Sequence, residues 1–192
     1  MKHNYIYKPE SHEYWDGNIR MLSVSQILNE SGYEFKGRPS TNTERGTFAH
    51  QTIELWEKGM LVLDTLDPIL LNYLNLYIAE KDKLGFKVIE TELQMYSKQY
   101  PIAGTCDLIL MYNGIKTVAD IKTGQPNSKR DRLQTAGYMM LYNELNPKNP
   151  VKQRLMIYID GDNSNVKTEL LTNSSDVDVF RACIKMAFYK IS

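Results

Sequence analysis

In the stretch GTCDLILMYNGIKTVADIKTG, residues 104–124, two aspartates and a lysine bracket two apolar runs. Asp107 stands just ahead of LILMY. Asp120 and Lys122 close the second run, and Asn113-Gly114 lies between the two. Asn-Gly between β-rich segments is a strong signal for a two-residue hairpin turn, because that turn takes positive φ at both positions. Counting back from the turn sets Asp107 directly across from Asp120, where opposed Cβ atoms lie roughly 4.5–5.5 Å apart. Residues two apart on a strand share a face, so Lys122 joins Asp120. Two carboxylates this close repel unless something compensates. A divalent cation is one compensation, and hard carboxylate oxygens suit Mg²⁺ or Mn²⁺. The other is an ordinary hairpin end open to water, with Lys122 simply paired with Asp120.

Further polar residues fall at spacings that could serve the same spot. His50 and Glu54 are four apart on an expected helix and share its face. Glu92 lies on the expected strand ahead of the hairpin, on the face of Glu90 and Gln94. Gln134 and Tyr138 share a helical face. Each also has an ordinary reading: a structural helical histidine, a solvated strand face, a buried hydrogen-bonded pair. Residues 122–154 carry seven Lys or Arg (Lys122, Lys129, Arg130, Arg132, Lys148, Lys152, Arg154) against Asp131 and Glu144. Such a stretch beside a metal site suits phosphates, and a solvated helix face is the alternative.

The elements that must position these residues are legible in outline. Residues 4–22 read as a short hairpin turning at Asp16-Gly17. Ser23 and Gln26 form a capping box that opens a helix running to about Glu30. GYEFKGRPSTN reads as a loop. A helix over 43–59 shows an apolar stripe of Phe48, Ile53, Leu55 and Trp56, with Gly59 as its stop. A second helix over 67–84 opens at Asp67-Pro68. KVIETELQMYS is a strand, the hairpin follows, and GQPNS is a loop. Residues 128–145 form a helix ended by Pro147 and Pro150. KQRLMIYID and NVKTELL are two more strands, and 176–190 is a closing helix. This order predicts a mixed α/β domain, a central sheet flanked by helices.

The chain has 192 residues, 42% of them hydrophobic and 24% charged, enough for one globular domain with a sizeable core. The expectation is one domain over 1–192, with the first hairpin and helix, about 1–40, as an appended element. Zero formal net charge argues against coating nucleic acid by bulk charge. No run approaches the ~18 apolar residues of a membrane span, and MKHNYIYKPE has no apolar signal core, so a cytoplasmic protein without membrane association is expected. Cys106 and Cys183 form no CxxC; they suggest reduced thiols and are too few for a four-cysteine iron–sulfur cluster.

Taken in order, RGTFAH, TEL, GTCD, DIKTG and QTAGY resemble the PD-(D/E)xK nuclease superfamily, and within it the RecB-like and phage-type exonuclease branch. HEYWDGNIRMLSVSQIL is similar to the opening of phage-encoded members. The resemblance covers about residues 12–140. It implies a restriction-endonuclease-like α/β core and a Mg²⁺- or Mn²⁺-dependent DNA exonuclease acting in end processing or recombination. DNA would be its partner, with a phage recombination or single-strand-binding protein as a possible second. It implies His50, Asp107 and Asp120 as metal ligands, joined by the backbone carbonyl of Ile121, and Lys122 as the catalytic lysine. Glu92 would bind a second metal or orient water, and Gln134 and Tyr138 would organise the site. Arg45 would contact a phosphate, as would Lys129, Arg130 and Arg132 of the basic stretch. Relatives with an iron–sulfur cluster use four cysteines, which this chain lacks. A structure-specific endonuclease on the same fold and an inactive DNA-binding or interaction module are the alternatives; the presence of Asp107, Asp120 and Lys122 together speaks against the latter.

Overall fold

The computed structural model describes residues 3–34, 41–124 and 126–191, with side chains from Glu44 onward in the helix that begins at Thr41. Residues 35–40 of the loop expected at GYEFKGRPSTN, and Gln125 of the one expected at GQPNS, therefore lie outside the described residues. The chain opens with a three-stranded meander, β1 (Tyr5–Lys8), β2 (Glu13–Asp16) and β3 (Ile19–Ser23), where a single hairpin is expected. The Asp-Gly signal is real but shifted: Asp16 pairs with Ile19, so the turn is Gly17-Asn18, with Gly17 at φ +58°. The capping box forms as read. The Ser23 hydroxyl accepts from Gln26 N at 3.1 Å, and Gln26 Oε1 accepts from Ser23 N at 2.8 Å, opening α1 (Val24–Glu30).

Two long helices follow, α2 (Thr41–Glu57) and α3 (Pro68–Leu84). The α3 start rests on the Asp67 carboxylate, which accepts from Ile69 N at 2.8 Å, with Pro68 in the first turn. The apolar stripe of α2 differs from the one expected. Phe48 and Leu55 face solvent, and the buried line is Ala49 and Ile53, with Trp56 packed beside them. Ala49, Ile53 and Trp56 follow the four-and-three spacing of one helical face, whereas Phe48 and Leu55 do not.

The remaining elements are β4 (Lys87–Tyr96), β5 (Ile102–Tyr112), β6 (Ile115–Lys122), α4 (Ser128–Leu145), β7 (Gln153–Asp160), β8 (Asn165–Leu171) and α5 (Ser175–Ile191). They build one mixed sheet in which β4, β5, β6, β7 and β8 lie side by side. All neighbours are antiparallel except β6 and β7, which the α4 crossover makes parallel. Helices α1, α4 and α5 cover one face, over Met95, Cys106, Ile109 and Val118. Helices α2 and α3 cover the other, over Leu108, Leu110, Ala119, Ile121 and Ile157. The chain thus has the α/β architecture expected, a central sheet with helices on both faces.

Two irregularities decide where side chains go. The first is on the β5 edge that carries β6. That edge pairs with β6 only from Leu108 to Tyr112, while β3 takes its start at Ile102 and Ala103 in parallel. Residues 104–107 lie between the two partners. The second is a change of phase. An unbroken strand sends residues two apart to the same face, yet Cys106 packs under α4 while Leu108 packs under α2 and α3. Opposite, Leu93 packs on the α4 side while Thr91 lines a cleft with residues of α2. Glu92, between them, has φ +48°. The register is the same on both sides of this point, so Glu92 and Asp107 face each other where the two strands turn over together.

Much of the basic stretch belongs to the scaffold. Arg154 is 1% exposed and donates to Asp176 Oδ2 at 2.7 Å and to the carbonyls of Arg132 and Asn173, pinning the start of α5 to β7. Gly137, in α4, lies against side chains of both α1 and α5. A Cβ there would lie 2.7 Å from Phe180 Cζ and 2.9 Å from Val24 Cγ1, and both side chains are buried. Gly137→Ala is expected to destabilise the fold by about 1–3 kcal/mol through overpacking, read as a lower urea midpoint with an unchanged slope.

Candidate metal and nuclease site

The site is built where α2, β4 and β5 meet. Asn113 and Gly114 both have positive φ, +51° and +73°, and the β5–β6 register is the one counted from the sequence. Pairing ends at Leu108 and Ala119, one pair short of Asp107 and Asp120. There the strands part, and Asp107 Oδ2 accepts from Ile121 N at 2.7 Å. A side chain has taken the place of a ladder carbonyl. Asp107 is thereby held rigidly and Ile121 is held beside it.

Helix α2 supplies His50. Its approach depends on Gly46, where a Cβ would sit 2.7 Å from Thr123 Oγ1 at the end of β6. One turn further, His50 Nδ1 lies 3.4 Å from Asp107 Oδ2. Glu92 completes the group. One ligand atom each from His50, Glu92 and Asp107 fit within 4.8 Å of one another. Left-handed backbone on a residue with a side chain costs about 1–3 kcal/mol, and such strain collects at functional sites. The expectation that Glu92 shares a face with Glu90 and Gln94 is corrected by that same φ. Glu90 and Gln94 are exposed, while Glu92 is half-buried in a cleft lined by His50, Ile53, Glu54 and Ile121. The free space there is about 10 Å³, roughly that of a single water-sized sphere.

Asp120 stands outside that group of three. It is 1% exposed, and Lys122 Nζ lies 2.6 Å from its Oδ2. The contact is a close ion pair without hydrogen-bond angles, and neither Asp120 oxygen has a hydrogen-bond donor in the structure. Gln134 and Tyr138 approach the same side from α4, both buried, with Gln134 Nε2 donating to Tyr138 OH at 2.9 Å. Tyr138 lies over Gly104, where a Cβ would meet its ring at 2.9 Å. Asp131, singled out by no spacing signal, is buried at the start of α4, accepts from Tyr158 OH at 3.1 Å, and adds its charge to the field around Asp120 and Lys122.

The proton affinities follow from burial and from like charges. Burial, then Asp107 and Glu54, push Glu92 up to about 8. Burial and the charge of Asp107 raise Asp120 to about 7 against the pull of Lys122. Lys122 is also raised: burial works against its charge, but Asp120 and Asp107 outweigh it. Unpartnered carboxylate oxygens, an imidazole nearby and carboxyls that resist ionisation all fit a divalent cation, whose charge would satisfy each of them.

The residues expected to hold phosphates divide. Arg130 is a correction. It is 7% exposed and donates to Asn29 Oδ1 and the carbonyl of Tyr33, so it clamps α4 to α1 and has no face for DNA. Its place in a basic run concealed that role. Arg132 is half-buried and bound to Asp176 at 3.1 Å. Lys129 is exposed in the first turn of α4. Arg45 makes a two-point contact with Asp162, at 3.0 Å for each nitrogen.

Comparison with known proteins bears on this geometry. The family model of the PD-(D/E)XK nuclease superfamily matches residues 62–187, a span that holds Glu92, Asp107, Asp120, Lys122, Gln134 and Tyr138 but neither Arg45 nor His50. No curated protein matches the sequence. Among solved structures, a candidate exonuclease from Eubacterium rectale superposes with a TM-score of 0.57 at 9% identity, over 89% of this chain and 79% of that one. It shares the fold. A phage-related exonuclease from Haemophilus somnus 129PT gives 0.47 at 12% identity, over 90% and 96%. An alkaline exonuclease from Laribacter hongkongensis gives 0.49 at 8%, over 89% and 87%. Among the described residues no helix is long and apolar enough to cross a membrane.

A pH dependence of stability follows. Glu92 and Asp120 hold their protons more tightly folded than unfolded, so between about pH 4 and pH 8 the native state binds more protons. Their contribution to the stability of the metal-free protein is therefore fully present below the unfolded values and is lost as pH rises through the folded ones. Glu92→Gln removes one ionisation and is expected to flatten this fall, raising the melting temperature at pH 8 more than at pH 5. An equal change at both values would contradict the assignment.

Proposed function

The chain belongs to the PD-(D/E)XK nuclease superfamily, and from that premise we propose that it is a divalent-metal-dependent deoxyribonuclease that removes nucleotides from DNA ends. The observation that carries the reading is the group of His50, Glu92 and Asp107, gathered where two paired strands turn over together. Those three residues would hold Mg²⁺ or Mn²⁺, with Asp120 and the carbonyl of Ile121 as further oxygen donors. A cation so held supplies a water of lowered pKa and charge for the non-bridging phosphate oxygens.

The chain's own groups do the rest. Lys122 is kept charged by Asp120 and Asp107 and retains some exposure, 27% of its side chain, so its ammonium can meet the charge that builds on the phosphorane. Asp107, fixed by Ile121 N, keeps the ligand oxygens in place before substrate arrives. Gln134 and Tyr138 close the α4 side against water. Arg45 offers a planar fork that grips a carboxylate now and fits a phosphate by the same geometry. The preference for ends rests on the resemblance to the phage-type exonuclease branch, to whose opening HEYWDGNIRMLSVSQIL is similar.

The test is release of nucleotides from end-labelled linear DNA in Mg²⁺ or Mn²⁺, beside covalently closed circular DNA. Linear DNA is expected to be degraded and the closed circle to survive; rapid cutting of the circle would make the protein an endonuclease. Lys122→Ala is expected to lower the cleavage rate about 10²–10³-fold with little loss of DNA binding, since its contact is made mainly in the transition state. Lys122→Arg should not restore the rate, because a planar guanidinium does not replace a compact ammonium. A Lys122→Ala rate near that of the wild type would remove the lysine from the mechanism.

A further inference from the structure

Lys122 meets the phosphorane in the reading above, yet its closest partner is Asp120, at 2.6 Å. Asp120 is also one of the oxygen donors for the cation. A carboxylate neutralised by a divalent ion attracts an ammonium only weakly. The event that loads the site therefore loosens the lysine. Its four-carbon stem is flexible, and 27% of the side chain is exposed, so a second anion is needed to keep the ammonium in place.

The chain has one in Asp131, in the first turn of α4 and 4% exposed. Its carboxylate is tied from two directions. Oδ2 accepts from Asn127 N at 2.8 Å, at the helix start, and from Tyr158 OH at 3.1 Å, on the sheet. Tyr158 is the register partner of Lys122 in the parallel pairing of β6 and β7. Neighbouring strands lie about 4.8 Å apart, and partners in register project to the same face. Ala119 and Ile121 on β6, and Ile157 and Ile159 on β7, pack under α2 and α3. The residues between them, Asp120 and Tyr158, and with Asp120 also Lys122, point to the α4 side. Lys122 and Tyr158 thus stand side by side, with Asp131 held at the tip of the tyrosine. The charge of Asp131 reaches both Lys122 and Asp120 and helps raise the proton affinity of each. The ordinary use of an acid in the first turn is to meet the helix dipole. That use needs neither burial nor a bond to a tyrosine of β7.

We propose that Asp131, held by Tyr158, is a positioning residue for Lys122: it keeps the ammonium on the α4 side of the site when Asp120 turns to a cation. The proposal rests on the nuclease reading above and adds a residue that lies outside the five motifs. Neither Asp131 nor Tyr158 touches a reacting atom; both act through the lysine.

Asp131→Asn keeps an oxygen for the Asn127 amide and for Tyr158 but loses the charge. The first measurement is urea unfolding of the metal-free protein at pH 7, in a double-mutant cycle with Lys122→Met. Asp131→Asn is expected to lower the midpoint more when Lys122 is present than in the Lys122→Met background. An equal change in both backgrounds, or a larger loss without the lysine, makes Asp131 a helix cap and overturns the proposal. The coupling is expected to persist in Asp120→Asn, whose neutral amide stands in for a neutralised carboxylate; a coupling that vanishes there also overturns it. If Asp131→Asn does not fold, Tyr158→Phe takes its place in the cycle. The second measurement is cleavage of end-labelled linear DNA in Mn²⁺. Asp131→Asn is expected to lower kcat about ten-fold, with KM and Mn²⁺ affinity within about two-fold of the wild type. An unchanged kcat, or a loss that follows a loss of Mn²⁺ affinity, overturns the proposal. A wild type that cleaves no DNA fails the nuclease reading alone, and the urea cycle then still decides whether Asp131 holds Lys122.

Discussion

Everything at the site depends on one substitution in the sheet's hydrogen bonding: Asp107 Oδ2 accepts the Ile121 amide in place of a strand carbonyl. That contact ends the β5–β6 ladder one pair early and lets the strands part. With the ladder ended, β5 can turn over between Cys106 and Leu108, and β4 turns over with it at Glu92. Strands that kept the phase of Leu108 and Thr91 would send the Asp107 and Glu92 side chains to the α4 side. The turnover directs them instead into the gap between α2 and the sheet, where His50 waits.

This arrangement is poor for stability. Glu92, Asp107 and Asp120 share a poorly solvated region, where Asp120 Oδ1 has no partner and Oδ2 has only the Lys122 ammonium at 2.6 Å. A buried polar atom without a partner costs about 1–3 kcal/mol, more when charged. The left-handed Glu92 adds strain. Elsewhere the chain is careful with its charges: Arg154, Arg132 and Asp176 satisfy one another, as do Lys81, Glu57 and Tyr77. Among the described residues, the only buried side-chain polar atoms without a hydrogen bond are those of Asp120, and a divalent cation would resolve that exception.

The sequence disclosed what is decided locally. The Asn113-Gly114 turn, the Ser23 capping box and the Asp67-Pro68 helix start depend on residues within a few positions of one another, and all three are present. The α/β order and the β5–β6 register followed from them. What the sequence concealed is decided between elements. Alternation along β4 could not reveal the turnover at Glu92, because that break belongs to the pairing of two strands. Arg130 sat in a basic run, yet its partners, Asn29 and Tyr33, lie about a hundred positions earlier. Phe48 and Leu55 read as core because they are apolar, but Ala49, small and easily overlooked, holds the buried face of α2. The first strand of the meander was hidden by its shortness, four residues with alternate exposure.

Calorimetric titration of Mn²⁺ at pH 7, run in two buffers of different ionisation enthalpy, tests the central claim that the strand turnover exists to hold a divalent cation. Binding to the wild type should release protons, because Glu92 and Asp120 hold them near neutrality and must give them up to a cation. Asp107→Asn, which keeps the shape but loses the charge, should abolish the binding. Undiminished Mn²⁺ affinity in that variant, or wild-type binding without proton release, would contradict the account.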